Sequence, residues 1–267
     1  MKKSKVKKEL IMFVFITLGW SWLFWFAEII WEINLYVAPF GPLVAALFLT
    51  YLKDDKKGLT QLFKKGINFH FNKIWYLPIL LLMPLTAYLA VLIASSLGEN
   101  VFNLNIVNDP LKIIGNFFYI LMLGGPLQEE FGWRGYALPR LLKKYNALIA
   151  SIILGVIWSI WHLPLNFISQ AGLQYQAAVS YIMSSLVLMV FVSILFTWIF
   201  QNTGGSIFSV LIFHTTLNLS TYVIFPVFEL RMGPPIFMAL IFLITIVVLT
   251  IFGYKRLTFQ KKKNLKL

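Results

Sequence analysis

A small set of polar side chains interrupts otherwise apolar stretches of this chain. They are Gln128, Glu129, Glu130 and Arg134 in one stretch, His162 and Asn166 in a second, and His214 and Asn218 in a third. Ionisable groups in such stretches are costly to bury, so we consider them first as functional residues. A carboxylate with an imidazole can deprotonate a water, and a second imidazole with an amide can donate hydrogen bonds to an oxyanion. Together these groups suffice to hydrolyse an amide.

The spacing of these residues indicates which of them can act together. His214 and Asn218 are four residues apart, so they lie one turn apart on the same helix face. Glu129 and Glu130 are adjacent and point about 100° apart around a helix. Arg134 follows Glu130 by four residues, which predicts a charge pair and leaves Glu129 free to face the interior. The alternative is structural, with all these groups only joining helices by hydrogen bonds.

Helix breakers stand next to two of these groups. The tripeptide 124–126, Gly-Gly-Pro, precedes Glu129, and its proline frees the backbone carbonyl of Met122. We expect a kink or an unwound turn there, which would admit water beside Glu129. Pro164 disturbs the helix near His162 in the same way.

The elements that position these groups are predicted to be membrane helices. Hydrophobic residues make up 59% of the 267-residue chain and charged residues only 12%, against roughly 25% charged in soluble domains. The apolar runs are continuous, which favours helices over a β-barrel. The prediction is an all-α, polytopic transmembrane bundle of about eight spans. They lie near 9–31, 34–52, 74–97, 111–133, 147–168, 177–200, 205–227 and 234–254.

The charge distribution predicts the orientation of this bundle. The net charge is +13, and 21 of the 23 lysines and arginines fall on one side if the spans alternate. Only Lys112 and Arg231 fall on the other side. By the positive-inside rule both termini are predicted to be cytoplasmic. The basic residues are therefore interpreted as topology signals, with membrane lipids and no nucleic acid as partners. The absence of cysteine excludes disulfides and thiolate chemistry.

Three motifs, taken together, resemble the CPBP family, also called the CAAX-protease, bacteriocin-processing or Abi family. They are QEEFGWRGYALPRL, WSIWHLP and FHTTLN, and the resemblance covers about residues 110–225. The motif of two glutamates and an arginine is met by Glu129, Glu130 and Arg134. The second motif, an aromatic residue four positions before a histidine, is met by Trp158 and His162, although phenylalanine is usual there. The third motif, a histidine followed four positions later by an amide residue, is met by His214 and Asn218.

The resemblance implies an intramembrane endopeptidase that acts on a membrane-bound or lipidated peptide, of the type that removes three residues after a prenylated cysteine. It implies that Glu129 and His162 activate water and that His214 and Asn218 stabilise the oxyanion. Glu130, Arg134 and Trp158 take supporting roles. The protein would be a multi-pass protein of the cell membrane, with its site nearer the cytoplasmic side.

The chain is accordingly divided into three segments of one membrane domain. Residues 1–110 hold three helices and a basic loop, and residues 111–227 form the CAAX-protease-like core with helices four to seven. Residues 228–267 hold the last helix and a basic tail.

A metal ion is the open point of this mechanism. Glu129, His162 and His214 could supply the carboxylate and two histidines of a catalytic zinc site. Spacing cannot decide whether a metal is bound, because the three residues come from three helices. A metal-free arrangement is favoured, with no cofactor firmly implied.

Two other functions compete with proteolysis. One is a proton-coupled transporter, which predicts internal repeats that the sequence does not show. The other is a non-proteolytic immunity or scaffold protein.

The predicted helices also raise a difficulty of depth. At ~1.5 Å per residue, straight helices would place Glu129 about 5 Å, His214 about 14 Å and His162 about 20 Å from the cytoplasmic helix ends. The site can form only if the break at 124–126 moves Glu129 inward, or if the fifth helix begins closer to the cytoplasm.

Overall fold

The computed structural model describes residues 2–33, 36–100, 109–169 and 175–259, and the regular elements within these ranges are all helical. This confirms the predicted all-α bundle. The α-helices, numbered in chain order, are α1 (Lys2–Trp31), α2 (Gly41–Gly66), α3 (Tyr76–Ser96), α4 (Pro110–Leu123), α5 (Pro126–Glu130), α6 (Leu138–Leu142), α7 (Ala147–Trp161), α8 (Leu163–Ser169), α9 (Tyr175–Asn202), α10 (Ile207–Asn218) and α11 (Gly233–Phe252). The predicted basic tail lies, from residue 260 onward, outside the described residues.

The lengths and compositions of these helices are those of an integral membrane protein. Among the described residues, six helical stretches are long and apolar enough to cross a membrane. They are Val6–Trp31, Lys73–Ser96, Pro110–Leu142, Val179–Asn202, Ile207–Ile224 and Gly233–Phe252. Each of the eight predicted spans coincides with helix in the structure, but two are not among these six.

The two exceptions have different physical causes. The predicted span 34–52 corresponds to the first part of α2, which is 26 residues long but is kinked at Asp55, where φ is 52°. The predicted span 147–168 is divided, because α7 ends after 15 residues with His162 as its C-cap. Pro164 follows at once, and a proline cannot donate the backbone hydrogen bond that would continue the helix. His162 therefore lies at a helix end.

Several helices begin at side chains that cap them. Asn146 accepts a hydrogen bond from the backbone N–H of Ile149 at the start of α7, and Ser206 caps α10 in the same way. Asp109 caps α4 by accepting from the backbone N–H of Lys112. The hydrogen bond from the Lys112 side chain holds the pKa of the Asp109 carboxyl below its ordinary value. These caps fix where the elements of the core begin.

The stretch Pro110–Leu142 is broken where the sequence predicts it. Gly125 has a φ of 111°, a conformation that favours glycine, and it separates α4 from α5. The carbonyl of Met122, freed by Pro126, accepts a hydrogen bond of 2.9 Å from Gln128 Nε2. Gln128 Oε1 in turn accepts from the backbone N–H of Gly125 at 3.2 Å. Gln128 is thus a structural residue that satisfies the broken turn.

Two short π-helical turns flank the centre of the molecule. The first π turn, Phe131–Ala137, continues α5 into α6, and the second π turn, Leu219–Ile224, follows α10 directly. π turns are rare and often lie at functional sites. Here they follow the glutamate motif and Asn218, respectively.

Close helix packing holds these elements together. The helix α7 packs along α9, and α10 packs against α3, α4 and α5. A Cβ atom at Gly155 would lie 2.7 Å from the backbone Cα of Val190, so only glycine permits this approach of α7 and α9. Trp133, Trp158 and Trp161 fill the interior between α1, α7 and the first π turn.

Candidate active site

Trp158 connects the predicted catalytic residues across three helices. Its indole Nε1 on α7 donates to Glu129 Oε2 on α5 at 2.6 Å. Its carbonyl accepts from His162 Nδ1 at 2.9 Å, and its ring centroid lies 5.6 Å from that of His214 on α10. The difficulty of depth is removed, because Glu129 contacts α7 directly and its helical stretch continues to Leu142, beyond the predicted end at 133. Glu129, His162 and His214 therefore surround one side chain.

The Glu129 carboxylate is held on one side and open on the other. Its Oε2 accepts from Trp158 and also from the indole of Trp133, at 3.3 Å. A Cβ atom at Gly125 would lie 2.7 Å from Glu129 Oε1 and 3.9 Å from Asn218 Nδ2, so both atoms face this glycine. Two fixed donors on Oε2 leave Oε1 to act on a water.

Sequence analysis gave no role to Trp133, and it assigned Gly125 only to the predicted helix break. Trp133 follows Glu129 by four residues, the same spacing that predicted the pair of Glu130 with Arg134. The same rule, applied to an indole N–H as donor, predicts the hydrogen bond from Trp133 to Glu129. No comparable signal marks the contact of Gly125 with Glu129, because it depends on the tertiary placement of the side chain.

Glu130 and Arg134 form the predicted charge pair. Arg134 Nη1 donates to Glu130 Oε1 at 2.8 Å and to Oε2 at 3.1 Å, with both side chains fully buried. The guanidinium lies between the rings of Trp158 and Phe196, 4.4 and 4.1 Å from their centroids. Glu130 also bonds His214 Nδ1 at 2.8 Å. Its supporting role thus includes holding His214, a contact that the spacing did not indicate.

Hydrogen bonding assigns the protons of both imidazoles. A carboxylate and a backbone carbonyl only accept, so the Nδ1 atoms of His214 and His162 carry hydrogen. A neutral ring then has its lone pair on Nε2. Each histidine can accept a proton there. To donate from Nε2 to an oxyanion, His214 must be an imidazolium, which would share the Glu130 carboxylate with Arg134.

Asn218 remains available as a hydrogen-bond donor. Its Nδ2 donates to the carbonyl of Gly124 at 3.1 Å, which uses one of the two amide hydrogens. Asn218 and His162 are half-buried, whereas Glu129 and His214 are buried, so the site is not closed on every side. Asn166 lies 3.4 Å from Ser185 and joins α8 to α9.

The donor set proposed for a metal does not form a ligand cluster. Within the described ranges, no three His, Cys, Asp or Glu side chains are grouped closely enough to hold a metal ion. Glu129 Oε2 and both imidazole Nδ1 atoms are hydrogen-bonded, so a metal could be held only by Glu129 Oε1 and the two Nε2 atoms. The steps proposed below use the side chains of the chain alone.

Two comparisons identify known proteins with similar sequences. Residues 113–220 match the family model of the Type II CAAX prenyl endopeptidase Rce1-like proteins. That match contains the seven candidate residues, and it lies inside the segment 111–227 predicted as the core. The chain is also 28% identical, over 194 residues, to a protein of Methanococcus maripaludis named CAAX prenyl protease 2. The alignment covers 67% of this chain and 69% of that protein.

The fold and the comparisons support a membrane-embedded endopeptidase. Within that class, the chain resembles the CPBP family of intramembrane proteases, of the CAAX-protease type. The transporter alternative is not supported by either comparison.

Proposed function

We propose that the protein hydrolyses a peptide bond next to a prenylated cysteine in a membrane-associated peptide, with a water activated by Glu129 and His162. The observation that carries the proposal is the double anchoring by Trp158, which holds the Glu129 carboxylate and the His162 imidazole at the same time. The relative from Methanococcus maripaludis is named CAAX prenyl protease 2, and that name supports a prenylated substrate. The proposed chemistry does not depend on it.

In the proposed reaction, Glu129 Oε1 takes one proton from a water molecule. The second hydrogen of that water forms a hydrogen bond to His162 Nε2. The water oxygen bonds to the carbonyl carbon, and the carbonyl oxygen becomes an oxyanion. The free amide hydrogen of Asn218 and the Nε2–H of a protonated His214 donate to that oxyanion. The C–N bond then breaks, and the proton held by Glu129 passes to the leaving amine.

The membrane setting of this reaction is part of the proposal. The protein lies in the cell membrane with both termini in the cytoplasm, and the site is reached from that side. The distribution of 21 of 23 basic residues supports this orientation. A prenylated peptide anchored in the cytoplasmic leaflet would then meet the site without leaving the bilayer.

A pair of synthetic peptides tests the substrate. One ends in a farnesylated cysteine followed by three residues, and the other has the same sequence without the farnesyl group. Mass spectrometry should show loss of the three residues from the farnesylated peptide only. In isotopically labelled water, the new carboxyl group should carry one labelled oxygen. Equal cleavage of both peptides would contradict recognition of the prenyl group.

Metal analysis tests whether the proposed chemistry is complete. We expect the purified active protein to hold far less than one zinc per chain and to keep its activity with a chelator. One zinc per chain that is lost in His162→Ala would overturn the metal-free mechanism.

A further inference from the structure

A largely apolar groove runs along α1. Its volume is about 540 Å³, and it lies between α1 on one side and α6, the loop after it and α7 on the other. Leu10 and Val14 form one wall, and Ile153 and Ile157 form the opposite wall. None of the groove's lining residues belongs to the catalytic set.

The two ends of this groove differ in chemistry. Lys7, Lys144 and Tyr145 lie at one end, and Gly19 and Trp22 lie at the other. From Lys7 to Gly19, α1 rises roughly 18 Å, at ~1.5 Å per residue. One leaflet of the hydrocarbon core is about 15 Å thick. The groove therefore has the length of one lipid chain, with its cationic end at the depth of the headgroups.

Lys7 and Lys144 have no counter-ion among the described side chains. The nearby carboxylate of Glu9 is already shared by Lys53 and Arg140, at 2.8 and 2.9 Å. Two uncompensated ammonium groups at the mouth of an apolar groove favour a ligand with an anionic head and an apolar tail.

We propose that this groove binds one anionic phospholipid. Its phosphate lies between Lys7 and Lys144, and one acyl chain follows α1 as far as Gly19 and Trp22. A zwitterionic lipid fits less well, because its own cationic group would lie near the same lysines. The site does not depend on the proposed catalytic function.

Native mass spectrometry of the purified full chain tests the headgroup contact. Dioleoyl phosphatidylglycerol and dioleoyl phosphatidylcholine have the same acyl chains and differ in net charge. We expect the phosphatidylglycerol to bind at least tenfold more tightly. Replacing both Lys7 and Lys144 by Ala should remove this preference, at about fivefold per lysine. Lys143→Ala is the matched control, since Lys143 is exposed beside Lys144 but does not line the groove.

A second pair of variants tests the position of the acyl chain. A Cβ atom at Gly19 meets nothing within 4 Å, so Gly19→Leu should fold normally and fill the deep end of the groove. Gly115→Leu is its control, because Gly115 has the same open space on α4, outside the groove. We expect only Gly19→Leu to lower the affinity for both lipids. Thermal unfolding of every variant should match the unaltered protein.

Three outcomes would overturn the proposal. The first is equal affinity for the two lipids. The second is a preference that survives the double lysine substitution. The third is lipid binding that Gly19→Leu leaves unchanged.

Discussion

Trp158 joins the two groups that are proposed to act on the water. Its N–H fixes one oxygen of Glu129, and its carbonyl fixes the proton of His162 on Nδ1. A base that is held in one orientation loses less freedom on reaching the transition state. Trp158 is therefore a positioning residue, acting through Glu129 and His162.

The substitution Trp158→Phe separates this hydrogen bond from simple packing. We expect kcat to fall roughly tenfold to a hundredfold with KM unchanged, because a hydrogen bond to a charged group contributes about 1.5–3 kcal/mol. Activity should be reduced and not abolished, since phenylalanine is the usual family residue at this position. The matched control is Trp198→Phe, because the buried N–H of Trp198 has no hydrogen-bond partner among the residues that the structure describes. Equal kcat values for the two variants would contradict the positioning role.

The buried pair of Glu130 and Arg134 predicts an effect on stability. Arg134→Met leaves the Glu130 carboxylate buried without its main counter-ion, which should lower the free energy of unfolding by about 3–5 kcal/mol. Combining it with Glu130→Gln removes the uncompensated charge and should restore part of that stability without restoring activity.

Denaturant unfolding of the purified protein measures both variants. Lys112→Met, which breaks the exposed pair with Asp109, is the control and should change the unfolding midpoint little. If Arg134→Met is no more destabilising than this control, the structural role of the pair is wrong.

The residue types of the site could be predicted from sequence, but their contacts only in part. Intramembrane polar residues are few, so Glu129, His162, His214 and Asn218 were easily selected. Spacing along one helix also identified the Glu130–Arg134 pair. The hydrogen bonds of Trp158 to Glu129 and of Glu130 to His214 link different helices. Residue spacing in a single sequence does not give the distances between helices.

The break between α4 and α5 is the element that brings Glu129 to the other catalytic groups. Gly125 provides the positive φ, and Gln128 satisfies the carbonyl and the N–H that the break exposes. The absent side chain of Gly125 also leaves the space that Glu129 Oε1 occupies. The same glycine thus shapes both the backbone and the site.

Gly125→Ala tests this double role. The added Cβ would lie 2.7 Å from Glu129 Oε1 and should displace the carboxylate, lowering kcat roughly a hundredfold. Gly204→Ala is the control, because Gly204 also has a positive φ, of 68°, but open space around its Cβ. Both variants should lose stability from backbone strain, by about 1–3 kcal/mol, and Gly125→Ala should lose more because its φ of 111° lies outside the left-handed helical region. Similar activity in the two variants would show that Glu129 does not depend on this space.

The positions of the helices can be predicted from the sequence, but their irregular ends cannot. Continuous apolar runs located all eight segments, and Gly and Pro predicted the breaks at 124–126 and near His162. The two π turns and the kink at Asp55 within α2 depend on packing between helices. Apolar composition does not encode that packing, although the predicted helix count is roughly consistent with the structure.

At the scale of the whole molecule, charge predicts which side of the membrane each loop occupies. The chain has no cysteine, so single cysteines can be introduced without altering native ones. In intact cells, a membrane-impermeant maleimide should label Lys112→Cys but should label Lys57→Cys only after the membrane is opened. Both positions are exposed. Labelling of Lys57→Cys in intact cells would reverse the proposed orientation.

Peptide cleavage by three single variants tests the central claim most directly. Glu129→Ala and His162→Ala should each lower cleavage of the farnesylated peptide by about a hundredfold to ten-thousandfold, the usual effect of losing a general base. Glu229→Ala, which removes an exposed carboxylate outside the site, should cleave like the unaltered protein. Equal cleavage by all three variants, with similar unfolding temperatures, would contradict the assignment of the water-activating pair.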